Sequence, residues 1–144
     1  MTMRLELTRR SDLATRALLE LSLAESRLKS AALAERVGTS AGFLSQAMTP
    51  LVSQGWVHSD PGPTGGYSLA VDPADLNVLE VIEAIEGPSE DGKCVLADRP
   101  CEDGFREGSF PCALHQPWSR ARTQLLAELS GTALSSLLPQ ESQL

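Results

Sequence analysis

Cys94, Cys101, Cys112 and His115 are the residues of this chain best suited to chemistry. They read as C-x6-C-x10-C-x2-H, three thiols and an imidazole on a segment poor in other structure. The three cysteines are the only ones present and fall within 19 residues, which argues against incidental buried thiols and for a metal or iron–sulfur site. In a reducing cytosol an odd count is poorly served by disulfides, whereas thiolate ligation or redox sensing works with any number. Three thiolates and one imidazole also suit tetrahedral zinc, although these gaps are wider than the about two to four residues of zinc knuckles. A metal-free switch, with Cys94 or Cys101 oxidising against Cys112, is the third chemistry the set allows. The wide spacing in a long loop suits a cluster best.

The elements that must position these donors follow from periodicity. Residues 88–111 hold Gly92, Pro100, Gly104, Gly108 and Pro111 with almost no periodic signal. A loop of this length inside a compact domain is usually functional, and here its cofactor is expected to order it. From about Cys112 to Ser130, Leu114, Trp118, Ala121, Leu125 and Leu129 form one apolar stripe. An isolated helix cannot bury such a stripe, so a second subunit is the expected cover. Cys112 and His115, at i and i+3 near this helix's start, lie on one face within reach of a single metal edge. Beyond Gly131 the tail with Leu134, Leu137 and Leu138 is weakly apolar and its end polar.

Upstream, Leu13, Ala14, Ala17, Leu18 and Leu21 predict an amphipathic helix over 12–25 with Ser11 as its N-cap. Ala31, Leu33, Ala34 and Val37 give a second helix over 30–37 that stops at Gly38, and Phe43, Leu44, Met48 and Leu51 point inward from a third over 40–54. Two helices joined at a short turn are the helix-turn-helix pattern. Pro50 is expected to kink the third helix or cost it one hydrogen bond. A strand at 56–59, a Pro/Gly turn at 61–66 and a return strand at 67–69 make a two-stranded wing. Leu76 to Ile85 mark a further helix ending at Gly87 and Pro88. The expected fold is mainly α: a winged helix-turn-helix domain (1–87), a cysteine-containing loop (88–111), a long dimerisation helix (112–130) and a tail (131–144).

At 144 residues the chain suffices for a small domain with an appended dimerisation arm. No apolar run approaches the roughly 18 residues of a membrane span, and the N-terminus lacks a secretory layout, so a cytoplasmic protein is expected. Residues 1–66 carry seven Lys/Arg against six Asp/Glu; residues 67–144 carry five against thirteen. The acidic half repels DNA, so any nucleic-acid face belongs to the first half. An enzyme would need a nucleophile with an adjacent base or a phosphate cradle. Gly62 to Gly66 lacks the strand and helix order of a cradle, so neither catalysis nor a small-molecule substrate is expected.

Taken together these residues resemble the IscR, NsrR and RirA group of winged-helix transcription regulators that hold an iron–sulfur cluster. The likeness spans about residues 3–138. It rests on Met3-Arg4-Leu5, Ser11-Asp12-Leu13-Ala14, Ser40 with Phe43-Leu44, Gly65-Gly66-Tyr67, Leu79 to Ile85, and Cys112-Ala113-Leu114-His115 with Trp118. Each fragment is weak alone; their order and spacing are specific. The resemblance implies cluster ligation by Cys94, Cys101, Cys112 and His115, or, as in NsrR-type members, a carboxylate fourth ligand that maps onto Asp12 and comes from the other subunit. Histidine favours a 2Fe-2S cluster, whose potential it raises while adding a protonatable group; a carboxylate suits a 4Fe-4S centre. An acidic residue in a first helical turn also simply stabilises the macrodipole, which is the plain alternative for Asp12.

The same resemblance implies a repressor that binds operator DNA as a homodimer and senses redox state, nitric oxide or iron supply. The third helix would enter the major groove with Ala41, Gly42, Ser45, Gln46 and Thr49 outward, Gln46 matching adenine and Ser45 a base or phosphate. Arg9, Arg10, Lys29, Ser40, Gly42 and Thr64 complete the expected DNA contacts. Residues 40–54 contain no Lys or Arg, and the wing reads Asp60-Pro61-Gly62-Pro63-Thr64 where many relatives carry an arginine. Weak binding is expected unless Arg4, Arg9, Arg10, Arg27, Lys29 and Arg36 gather on one side. A zinc- or thiol-based regulator, or an adaptor that has lost DNA affinity, is the alternative.

Overall fold

The computed structural model describes residues 7–62, 65–88 and 112–139. Helix α1 (Arg9–Ala24) is followed by α2 (Ser30–Val37), α3 (Ala41–Ser53), strands β1 (Val57–Asp60) and β2 (Gly66–Leu69), α4 (Val78–Glu86) and α5 (His115–Ser130). Short 3₁₀ turns lie at Pro73–Asp75 and Leu134–Leu137. This is the mainly α winged helix-turn-helix expected from the periodicity. Residues 1–6 with Arg4, the wing tip with Thr64, and 89–111 with Cys94 and Cys101 lie outside the described residues. No helix among the described residues is long and apolar enough to cross a membrane.

The start of α1 differs from expectation. Thr8, not Ser11, is the N-cap, its hydroxyl accepting from the Ser11 amide at 3.2 Å. Ser11 is buried, and its Oγ donates to Glu86 Oε2 of α4 at 2.8 Å. A tertiary partner has drawn Ser11 inward and left the capping role to the hydroxyl three residues earlier. Elsewhere the local rules hold. Gly38 closes α2 in the left-handed region at φ 73°, and Ser40 caps α3 by accepting from the Phe43 amide at 3.2 Å. Helix α3 runs on through Pro50, which lacks the N–H that the Gln46 carbonyl would otherwise receive.

Leu13, Leu18 and Leu21 of α1, Leu33 and Val37 of α2, and Leu44, Met48 and Leu51 of α3 meet Val81 of α4 in one buried core. Each such side chain taken from water contributes on the order of 1.5–3 kcal/mol. Of the positions expected inward, Ala31 is exposed and Phe43 only half-buried. An unexpected member is Leu134, fully buried. The chain after α5 turns back: Asn77 and Ala133 form an antiparallel bridge, and the Leu134 amide donates to the Leu76 carbonyl at 2.8 Å.

The wing pairs β1 with β2 antiparallel, Val57 opposite Leu69 and Asp60 opposite Gly66. The α1–α2 connection joins its edge, where Leu28 and Tyr67 exchange backbone hydrogen bonds at 2.9 and 2.8 Å. This packing accounts for the Gly65-Gly66 pair. A Cβ on Gly65 would strike the Asp60 carbonyl, and one on Gly66, which also has φ 146°, would strike the carbonyl of Leu28.

Helix α4 begins with a capping box: Asn77 accepts from the Glu80 amide while Glu80 accepts from the Asn77 amide. Helix α5 starts at His115 rather than Cys112, with Cys112 in the turn before it. It packs on α4 and buries no residue fully. Leu114, Trp118, Ala121 and Leu125 of the expected stripe are exposed; Leu129 is half-buried.

Candidate functional site

The outward face of α3 consists of Ala41, Gly42, Ser45, Gln46 and Thr49, all exposed, because Leu44, Ala47, Met48 and Leu51 take the inward positions. Thr49 turns its hydroxyl back onto the Ser45 carbonyl at 2.9 Å, which leaves the side chains of Ser45 and Gln46 as the hydrogen-bonding groups that this face offers outward. At the N-terminal end of α3 an open cleft of about 550 Å³ is lined by Arg9, Glu35, Thr39, Ser40 and Phe43. The Arg9 guanidinium carbon lies 5.8 Å from the centroid of the Phe43 ring. That stacking orients a cation beside the helix start, where backbone N–H groups already favour phosphate.

The other cations of this half are largely committed. Arg27 Nη1 meets Asp60 Oδ2 at 2.7 Å, Arg36 meets Glu20 at 3.6 Å, and Arg16 meets Asp12 at 3.6 Å. Arg10 and Lys29 are exposed and enter no ion pair among the described residues. Asp60 also faces His58 Nε2 at 3.1 Å. The hydrogen bond from Arg27 holds the Asp60 carboxyl below its ordinary range, aided by His58. The Arg27–Asp60 pair was not legible in the sequence, since its two residues lie 33 apart.

Two of the four predicted donors, Cys112 and His115, are described, and their backbones meet in one turn. The His115 amide donates to the Cys112 carbonyl at 3.0 Å, and both residues are half-buried at the root of α5. Within one chain Asp12 stands apart from them, its side chain 62% exposed beside Arg16, and the Asp12 expected at the site is that of a second subunit; no group of three metal-holding side chains forms among the described residues. Cys94 and Cys101 lie outside the described residues, in the stretch that leaves α4 after Pro88 and returns at Cys112. A thiolate with an imidazole three positions on suits zinc or iron equally by donor type. Sequence reasoning missed the bond between Ser11 and Glu86, which ties the first turn of α1 to the last turn of α4 next to that stretch.

Comparison with known proteins fits this geometry. The profile of the Rrf2 family, described as an iron-dependent transcriptional regulator, matches residues 7–140. The HTH-type transcriptional regulator IscR of Aliivibrio salmonicida is 30% identical over 136 residues, covering 93% of this chain and 77% of that protein. The structure of T. potens IscR superposes with a TM-score of 0.73 at 24% identity, over 97% of this chain and 92% of the other. CymR, the global cysteine regulator of B. subtilis, gives 0.71 at 24% identity, over 93% and 96%. At these identities the two structures speak for the fold.

Proposed function

The chain belongs to the Rrf2 family of transcriptional regulators, and from that membership we propose that it is an iron–sulfur-dependent repressor that binds operator DNA as a homodimer. The observation that supports the reading is the turn at the root of α5, where the His115 amide closes onto the Cys112 carbonyl. Cys94 and Cys101 supply the remaining thiolates, and the donor set of three sulfurs and one imidazole fits a 2Fe-2S cluster, with Asp12 of a second subunit and a 4Fe-4S centre as the alternative. When bound, the cluster supplies a redox-active, oxygen- and nitric-oxide-sensitive group whose potential an imidazole ligand raises.

The residues around it do the rest. Ser45 and Gln46 on α3 read base edges, while Arg9, Arg10, Lys29, Ser40, Gly42 and Thr64 hold the phosphate backbone. The exposed stripe of α5 packs on its counterpart in a second copy and so fixes the separation of the two α3 helices. Release of Cys112 from the bound group would lift the constraint on the start of α5 and change that separation. Two half-sites at fixed spacing register the change as affinity.

The test is anaerobic purification followed by a visible spectrum, native mass and gel shift. The expected result is brown protein with a two-iron mass, and Cys101→Ala should lose both colour and the holo protein's operator affinity. Material free of iron and acid-labile sulfide even after reconstitution overturns the cluster; a colourless zinc mass replaces it with zinc. Operator affinity equal in holo protein and Cys101→Ala overturns the coupling.

A further inference from the structure

The Arg27–Asp60 pair gives the wing a property beyond its shape. Asp60 ends β1, where the chain turns into the wing, and spends both carboxylate oxygens, Oδ2 on Arg27 at 2.7 Å and Oδ1 on His58 at 3.1 Å. Arg27 sits on the α1–α2 connection, which runs along the wing's edge through the Leu28–Tyr67 backbone pair and leads into Lys29 at the start of α2. The pair is accessible, with Arg27 48% and Asp60 37% exposed, so the guanidinium is held on the surface and not buried. A winged-helix protein straddles a groove with its recognition helix and wing, so a cation on the wing's edge meets the flanking phosphates. A carboxylate and a phosphate offer a guanidinium the same two-oxygen geometry and compete for it.

We propose that Asp60 is an intramolecular phosphate mimic that holds Arg27 back from the DNA backbone and thereby sets the affinity and salt sensitivity of binding. The inference rests on DNA binding by this face, and it does not depend on the cluster or on the operator sequence. Because the withheld contact is to backbone, its release strengthens binding to every sequence alike.

The test is a double-mutant cycle with Asp60→Ala and Arg27→Ala, in the full-length protein as isolated under anaerobic conditions. Dissociation constants are measured by fluorescence anisotropy on a duplex of arbitrary sequence over a range of salt concentrations. Asp60→Ala should tighten binding about three- to tenfold at low salt and steepen the log–log salt slope by about 0.9, the value of one added phosphate contact. Arg27→Ala should cost less than about twofold in the native background and remove the whole gain in the Asp60→Ala background. Equal costs of Arg27→Ala in the two backgrounds overturn the proposal, because the two charges then act independently through their fields. An unchanged slope in Asp60→Ala overturns it as well. Circular dichroism melts of all four proteins confirm that the wing stays folded, and Arg27→Gln, which keeps the length of the side chain, repeats the cycle should Arg27→Ala disturb it. Iron analysis and sequence preference, measured separately, decide the repressor reading without touching this cycle.

Discussion

At the scale of single residues, the polar side chains of Asp60 and Ser11 take their roles from partners distant in sequence. Asp60 is the clearest case. Its carboxyl, held below the ordinary value near 3.8 by Arg27, stabilises the fold fully above that value and loses the contribution as pH falls through the lower folded value. The melting-temperature difference between native protein and Asp60→Asn should therefore be small but measurable at neutral pH, shrink below about pH 4 and shrink with added salt. A difference that grows on acidification contradicts the assignment. Ser11 shows why such roles escape a sequence reading. Thr8 and Ser11 are both good caps by type, and only the Glu86 carboxylate, 75 residues away, decides which of them turns inward. The cysteine and histidine spacing, by contrast, was visible from the start, because i and i+3 contacts are local.

At the scale of elements, what was legible follows the same division. Helix α2 and the body of α3 were readable to within a residue because their apolar spacing, Gly38 and Ser40 are local signals. The hairpin was readable because Gly65 and Gly66 sit where backbone approaches backbone. The 3₁₀ turn at Leu134–Leu137 was not, since four residues carry no period and its role depends on docking against Leu76 and Asn77. Replacing Leu134 with Ala should cost about 2–5 kcal/mol in denaturant unfolding, as for other fully buried leucines. Leu137→Ala, at a residue 45% exposed, should cost far less. Equal effects at the two positions would show that the tail is not part of the core.

At the scale of the whole molecule, the fold leaves an apolar face of α5 uncovered, with Leu114, Trp118 and Leu125 between 36% and 55% exposed. Leu125→Asp should halve the mass seen by light scattering and weaken binding to a two-half-site operator far more than to one half-site. A native protein that already has the monomer's mass rejects the arrangement. The hydroxyl–carboxylate bond between α1 and α4 has a mechanical consequence of its own. Glu86 lies two residues before Pro88, and Ser11 two residues after the Arg9 whose guanidinium lies over Phe43. The end of α4 that leads into the thiol-bearing segment is thereby tied to the first turn of α1 by a polar bond that adds to the apolar packing of the two helices.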